Sequence, residues 1–471
     1  IDSEKFFADV PNLGFPQCCR LFKDNVQLKY KFPDFFQNPL SYLKKGFKKY
    51  IQNEEPKMAV LTFVLMLGGK VEKKILKKNS ELEQLKTDAM KMCRLKPDLK
   101  AFQNSIKSFA GSFLIFDSAE DCYKISHSSV ETSLFLVLGD ICDIDELVRN
   151  CAYNILQYLS TRNCPPSEMK RLEIAEKNFA CVSEKIILLI GERISVVYAC
   201  LAELFLWNDE TFCRKFEKII SNHGGDFLFY IDEESKSMIV HFAAAGNVKW
   251  VKYIYEYSKE KEFSEQHYLS LNAACEHNQL NVVKYLLSVK VKPDIKSVFH
   301  AVKGGTFEII KILADNGVDM NERTYSLTRR WKAKSDTITV LHESCLGRQA
   351  HLVLDLLNLC PALLKTKNES GEYSLLSVAY SGDVETLKIL IEKGQDPFGK
   401  SNIDSTILHF ACQGGNQETF QYIVKTYPEL LNPEHDNSTQ GTLLHRAAEG
   451  GIVSQIETLA DQFMKQVLVE I

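Results

Sequence analysis

The sequence predicts a mostly α-helical protein whose C-terminal half is a solenoid of short helical repeats. A recurrent decapeptide is the first sign: Thr442-Leu443-Leu444-His445-Arg446-Ala447-Ala448-Glu449-Gly450-Gly451 repeats the grammar of Thr406-Ile407-Leu408-His409-Phe410-Ala411-Cys412-Gln413-Gly414-Gly415 and, less cleanly, of Thr339-Val340-Leu341-His342. Spacing is the second. Thr339 to Thr406 is 67 residues, two periods of about 33, and Thr406 to Thr442 is 36, one period with a small insertion. A fixed period of this size is the mark of stacked repeats.

Composition narrows the class. The 471 residues suffice for about three domains. With 45% apolar and 25% charged residues and a net charge of −4, neither wholesale disorder nor a global field for nucleic acid is expected. No apolar run reaches the ~20 residues that span a bilayer; the stretch 186–206 is interrupted by Glu192, Arg193 and Glu203. No signal peptide is visible, and a chain beginning at Ile1 reads as an internal piece of a longer one. Fourteen cysteines show no CxxC pair and no Cys/His metal spacing. They read as reduced thiols of a cytoplasmic protein, with no metal site.

Residues 1–52 predict a helical segment punctuated by Pro11, Pro16, Pro33 and Pro39. One helix starts near Pro16, since proline suits a first turn. A second covers 34–50, where Phe35, Phe36, Leu40, Leu43, Phe47 and Tyr50 recur at helical spacing. Its Lys44, Lys45, Lys48 and Lys49 form either a solvated face or a contact for phosphate. Residues 53–164 predict a winged-helix-like domain. An apolar helix over 58–67 is ended by Gly68-Gly69. Charged helices follow over 73–78 and 81–93, and a third covers 99–109. Two β-rich runs, 112–116 and 122–125, flank the turn-rich 117–121 and read as a hairpin. Beyond it, 144–160 predicts one helix with Leu147, Cys151, Ile155 and Leu159 on a stripe. Winged helices dock on DNA or face other proteins, so this fold alone does not decide function.

The hairpin leads into Lys124-Ile125-Ser126-His127-Ser128-Ser129-Val130-Glu131. With that motif and the run Phe15-Pro16-Gln17-Cys18-Cys19-Arg20-Leu21-Phe22, the segment from Gly14 to about Tyr158 resembles the part of STAND-class NTPases that follows their P-loop core. These signalling ATPases include the NACHT proteins and the apoptotic and plant-resistance ATPases. The resemblance implies a signal-transduction role of the innate-immunity kind, with the winged helix restraining an NTPase core upstream of Ile1. It implies that ADP or ATP binds the full-length protein and that His127, matching the family's hydrophobic-x-His motif, touches the nucleotide phosphates. An imidazole N–H can donate to a phosphate oxygen. Ser128 stands where the family often has Asp. From the residues alone, His127 serves equally as a cap for the helix starting near Ser128. No P-loop is present: Val64 occupies the place of the first glycine before Gly69-Lys70, and Val71 that of Ser or Thr. No cofactor is expected in this chain itself.

Residues 165–232 predict a helical linker, opened by the helix-breaking Cys164-Pro165-Pro166 and carrying helices over 168–181, 183–206 and 209–221. From 233 to 471 about seven helix–turn–helix units follow. Their Gly turns, small Ala, Ser and Cys residues in the leading helix and Leu, Ile and Val in the trailing helix resemble the ankyrin repeat, and the array is expected to continue past Ile471. Each glycine of the turn pairs is expected at positive φ. Thr339, Thr406 and Thr442 are expected to cap their helices, and His342, His409 and His445 to bond a neighbouring loop. An insertion, 323–335, places Arg329, Arg330, Trp331 and Lys332 together. This is either a solvated hairpin tip or a contact site for a partner.

The fold class is therefore mostly α: a winged-helix-like domain, a helical linker and an ankyrin-repeat solenoid. No nucleophile elbow, metal-ligand set or phosphate loop can be assembled, so no catalytic residue is assigned and the chain is not expected to be an enzyme. Three functions follow. The first is the regulatory, protein-binding half of a STAND-like switch. The second is an ankyrin adaptor independent of nucleotide. The third, disfavoured by the near-neutral charge, is a winged-helix binder of nucleic acid.

Overall fold

Nine consecutive residues, from Met58 to Met66, are buried in one helix, and the first part of the chain is built around it. The structure, a computed structural model, describes residues 39–77, 82–109, 113–126, 128–167, 169–259, 263–327, 337–431 and 442–470. The chain divides into two units, Ile1–Met238 and Ile239–Ile471. The helix expected at Pro16 lies outside the described residues.

The first unit runs α1 (Pro39–Gln52), α2 (Lys57–Met66), β1 (Lys70–Glu72), α3 (Lys73–Lys77), α4 (Glu83–Met92), α5 (Leu99–Phe109), β2 (Leu114–Asp117), β3 (Cys122–Ile125) and α6 (Ser128–Ile141). Gly68 and Gly69, both at φ 85°, turn the chain out of α2, and the Gly69 N–H returns to the Val64 carbonyl at 2.9 Å. Strands β2 and β3 form the expected hairpin, with Leu114 opposite Ile125 and Asp117 opposite Cys122. Strand β1 pairs with the other edge of β3, Lys70 opposite Lys124, so the sheet order is β1-β3-β2 and wholly antiparallel. Sequence patterning passes over β1. Three residues with only Val71 buried are too short for a period-2 signal.

Helices α4 and α5 pack on α2, with Phe63 edge-on to Phe102 at 5.7 Å. Lys86 of α4 is buried beside them and donates from Nζ to the Ile75 carbonyl at 2.9 Å. Its burial lowers the ammonium pKa. Helix α1 lies on α6 and sets Phe47 against Phe113 at 5.3 Å.

Further on, two expected helices break. Residues 144–160 form α7 (Ile144–Asn150), a 3-10 turn over Tyr153–Tyr158 and β4 (Leu159–Ser160). The break comes at Cys151 and Ala152, where ψ is 155° and 169°. Leu147, Cys151, Ile155 and Leu159 are all buried nonetheless. Parallel pairing of β4 with β5 (Leu172–Glu173) takes the chain into extended form, and that pairing displaces the helix expected from 168. The apolar run 183–206 likewise splits between α8 (Phe179–Gly191) and α9 (Ser195–Ala202). Arg193 reverses the chain at φ 57°, and the Tyr198 hydroxyl satisfies the Ile190 carbonyl at 2.8 Å. Folding back lets Ile186, Leu189 and Ile190 bury together with Val197, Tyr198 and Leu201. Helix α10 (Glu210–His223) starts as expected at Asp209, whose carboxylate accepts from Thr211 N at 2.7 Å and Phe212 N at 3.3 Å.

The second unit holds seven helix pairs among the described residues. Their leading and trailing helices are Met238–Ala244 and Val248–Ser258, Ser264–Glu276 and Leu280–Ser288, Ile295–Gly304 and Phe307–Asp315, Val340–Leu346 and Ala350–Leu359, Ser374–Ser381 and Val384–Glu392, Ile407–Gly414 and Gln417–Thr426, and Leu443–Gly450 and Val453–Glu470. From the second pair onward each leading helix packs on the next.

The turn inside every pair places one residue at positive φ: Gly246, Asn278, Gly305, Arg348, Gly382, Gly415 and Gly451. In the Gly-Gly turns the two glycines therefore do different things, contrary to the expectation of positive φ at both. A Cβ on Gly414 would sit 2.0 Å from the Tyr380 carbonyl oxygen, and one on Gly450 would sit 2.1 Å from that of Cys412. The second glycine makes the turn; the first lets the backbones touch. Gly414→Ala is thus expected to cost roughly 1–3 kcal/mol, the range of overpacked sites. Gly46→Ala, in α1 with nothing within 4 Å of the new methyl, is expected to gain about 0.5–1 kcal/mol. Urea unfolding of both variants checks the contrast.

Candidate functional site

The repeats carry a recurrent polar pair where the sequence places Thr-x-x-His. Thr339 and Thr442 begin their helices but make no side-chain bond to the backbone there, contrary to the expected caps. Each hydroxyl instead meets a histidine: Thr339 Oγ1 to His342 Nδ1 at 2.7 Å, and Thr442 Oγ1 to His445 Nδ1 at 2.9 Å. Thr406 Oγ1 meets His409 Nδ1 at 3.0 Å in the same way. His342 Nε2 lies 3.0 Å from the Glu372 carbonyl in the following unit. A carbonyl only accepts, so Nε2 carries the proton and Nδ1 accepts from the Thr339 hydroxyl. Complete burial drives the His342 pKa down to about 4. This histidine is a neutral strut between units, as expected of it, and belongs to the frame.

What the frame presents outward falls into two groups. Along the leading helices runs a row of polar contacts between neighbouring units. Glu276 receives His300 Nδ1 at 2.8 Å and the Lys303 ammonium, and these two partners draw its pKa down to about 2. Gln413 donates to Glu449 at 2.9 Å, and Arg446 reaches the same carboxylate at 3.2 Å. At the loops beyond the trailing helices stand aromatic side chains. Tyr325 is 58% exposed, and Phe398 is 37% exposed with Tyr427 edge-on at 5.9 Å. Exposed aromatic residues of this kind suit a protein interface. Sequence reading does not single out these aromatics, because a lone Tyr or Phe in a loop carries no periodic signal.

The inserted segment is a stem whose base is described. Thr324–Tyr325 pairs antiparallel with Thr337–Ile338. Glu369 of the next loop clasps it, accepting from Thr337 N and Oγ1, each at 3.1 Å. The proposed contact residues Arg329, Arg330, Trp331 and Lys332 lie outside the described residues, as does His127.

Around His127 in sequence, Glu131 is described. It sits in the first turn of α6, its carboxylate so near Gly69 that a Cβ there would lie 2.1 Å from Oε1. Burial pushes its pKa up to about 7, opposed by a 3.4 Å hydrogen bond from the Tyr158 hydroxyl. On the sheet, lysines meet carboxylates: Lys124 with Asp117 at 2.8 Å and with Glu120 at 3.1 Å, and Lys70 with Glu120. In α1, Lys48 pairs with Asp140 at 2.8 Å. Among the described residues no group of three or more His, Cys, Asp or Glu is placed to hold a metal. None of the helices there is long and apolar enough to cross a membrane.

Comparison with known proteins follows this geometry. A family model for ankyrin repeats, in three copies, matches residues 375–467. A homologue of transient receptor potential cation channel subfamily A member 1 from Caenorhabditis elegans is 29% identical over 34% of this chain and 12% of its own. A putative ankyrin repeat protein of fowlpox virus is 25% identical over 42% of this chain and 34% of its own. Human transient receptor potential cation channel subfamily A member 1 is 22% identical over 49% of this chain and 18% of its own. The chain thus spans about a third or less of the length of each of these relatives. The second unit contains ankyrin repeats, and the matched residues span its last three helix pairs.

The His342 strut sets a pH dependence. Its folded pKa lies below the unfolded value of 6.5. Between pH 6.5 and 4 the unfolded chain therefore binds a proton that the folded chain excludes, and stability falls as pH drops. The loss is expected to reach on the order of 3 kcal/mol at the acid end of that window. Urea titrations at pH 7 and pH 4.5 should show the drop, and His342→Gln should flatten it while lowering stability at pH 7.

Proposed function

We propose that the chain is a protein-binding scaffold, with the outward face of its ankyrin repeats as the docking surface and no catalytic step of its own. The observation that carries this reading is the exposure of Tyr325 and Phe398 in the loops beyond the trailing helices, on a repeat frame that also carries polar contacts between leading helices and whose His342 is already satisfied. Such a surface offers aromatic anchors of the kind that hold a specific interface. The described cysteines are free thiols, which favours a reducing compartment such as the cytoplasm. The Tyr325→Ala/Phe398→Ala double variant should keep the wild-type melting curve. In proximity labelling it should lose the partners that the wild-type chain marks. An unchanged set of labelled proteins would remove this surface from consideration.

A finer reading is that the scaffold belongs to a STAND-like switch, its first unit restraining an NTPase core carried elsewhere in the full-length protein. The β1-β3-β2 sheet with α2 before β1 and α3 to α5 before the hairpin supports a winged-helix assignment. Partner engagement by the repeats would then shift the population of restrained and released cores. A longer protein restoring residues upstream of Ile1 is expected to retain ADP or ATP on purification, and His127→Ala to exchange it faster. Protein free of nucleotide in both forms would sink this reading and leave the scaffold. Binding of nucleic acid has less support, since Lys48, Lys70 and Lys124 already have carboxylate partners that compete with phosphate.

A further inference from the structure

Outside the repeats, a cavity of about 220 Å³ opens in the first unit, lined by Ser160, Ser167, Lys170, Arg171 and Phe205 among others. It lies where β4 and β5 meet the Cys164-Pro165-Pro166 loop. The Arg171 guanidinium carbon lies over the Phe205 ring, 3.8 Å from its centroid. Its Nε donates to the Gln157 carbonyl at 3.2 Å, and one terminal nitrogen donates to Ser167 Oγ and, at 3.5 Å, to the Met169 carbonyl. All three acceptors are neutral. The other terminal nitrogen has no partner among the described residues, and no described carboxylate pairs with Arg171 or with Lys170. Arg162, two residues beyond Ser160, is by contrast tied to Glu173 at 2.7 Å. Asp209, the buried acid behind Thr161, has its oxygens occupied by Thr161, Asn163 and the N-terminus of α10.

We propose that this cavity is a binding site for a phosphoryl group, with the remaining terminal nitrogen of Arg171 as its first cationic donor, Lys170 as its second cation and the Ser160 and Ser167 hydroxyls as neutral partners. Two adjacent cations without a described counter-charge match a dianion better than a single carboxylate. The bonds to Gln157, Ser167 and Met169 and the Phe205 ring hold the guanidinium in place, and the remaining terminal nitrogen is left to give a phosphoryl oxygen a charge-assisted hydrogen bond. The volume is below the range of about 300–1,000 Å³ that encloses drug-sized ligands. It therefore suits a phosphate ion or the phosphorylated end of a side chain and excludes a nucleoside. The site is separate from the repeat surface and does not depend on the scaffold reading.

The test is calorimetric titration of the full chain with inorganic phosphate and with O-phosphoserine, against sodium chloride of matched ionic strength. Saturable binding of at least one probe is expected. A preference for O-phosphoserine would identify a phosphorylated side chain as the occupant, and a preference for phosphate the free ion. Lys170→Gln and Arg171→Lys should each weaken binding about tenfold, while Lys74→Gln, an exposed change elsewhere in the unit, should leave it unaltered. If Arg171→Lys lowers the melting temperature of the free protein, Lys170→Gln alone decides. No saturable heat with either probe up to about 10 mM, well beyond the millimolar affinities of weak sites, would overturn the proposal. So would binding that Lys170→Gln leaves unchanged.

Discussion

Backbone contact between successive leading helices is the constraint on which the second unit depends. At Gly414 and Gly450 there is no room for a methyl group against the carbonyls of Tyr380 and Cys412, and at Gly304 a Cβ would lie 2.7 Å from the Cys275 carbonyl. Such an approach fixes the spacing of the stack, because a side chain at these points would wedge neighbouring units apart. Small residues then follow along the same helices, and Ala301, Ala379, Ala411 and Ala447 are all buried there. The loops beyond the trailing helices carry no such restriction. An insertion can enter between the third and fourth pairs without disturbing the stack, provided its two ends meet in a stem such as Thr324–Tyr325 with Thr337–Ile338.

Two buried polar side chains of the repeats are satisfied by bonds that cross between units. His342 gives its one proton to a carbonyl of the next unit and receives one from Thr339, so a buried imidazole costs little while it stays neutral. Gln395 does a similar task one unit later, donating to the Leu364 carbonyl at 2.7 Å and accepting from Leu375 N at 2.9 Å. These bonds are directional, and they lock the angle between units that apolar packing leaves loose. In the first unit buried Lys86 donates to the Ile75 carbonyl and half-buried Glu131 accepts from the Tyr158 hydroxyl, and burial pushes both toward their neutral forms.

The two units offer different chemistry. The repeats carry exposed aromatics in their loops and polar pairs between leading helices. In the first unit the sheet lysines Lys70 and Lys124 are paired with carboxylates, whereas Lys170 and Arg171 beside the small cavity have no carboxylate partner among the described residues. The relatives share a fraction of their length with this chain, and the ankyrin array alone is compatible with many partners.

The sequence by itself determined the repeat period, the number of helix pairs and the positions of their turns. Each unit is a local structure whose signals, an apolar stripe and a turn residue at positive φ, fall within a single period. It also located the β2–β3 hairpin and the helix expected over 209–221, which again are short-range features. The division of labour within each Gly-Gly pair was not legible, because the contact that the first glycine permits is with a residue some 34 positions away, as in Gly414 with Tyr380. The broken helices at Cys151 and Arg193, the edge strand β1 and the cavity beside Arg171 belong only to the tertiary structure. Each depends on a distant partner: β5 for β4, Tyr198 for the end of α8, β3 for β1, Phe205 for the guanidinium. Helical periodicity reports which residues are buried, and it was right about Leu147, Cys151, Ile155 and Leu159. It does not report whether a competing strand pairing will bury them in another conformation.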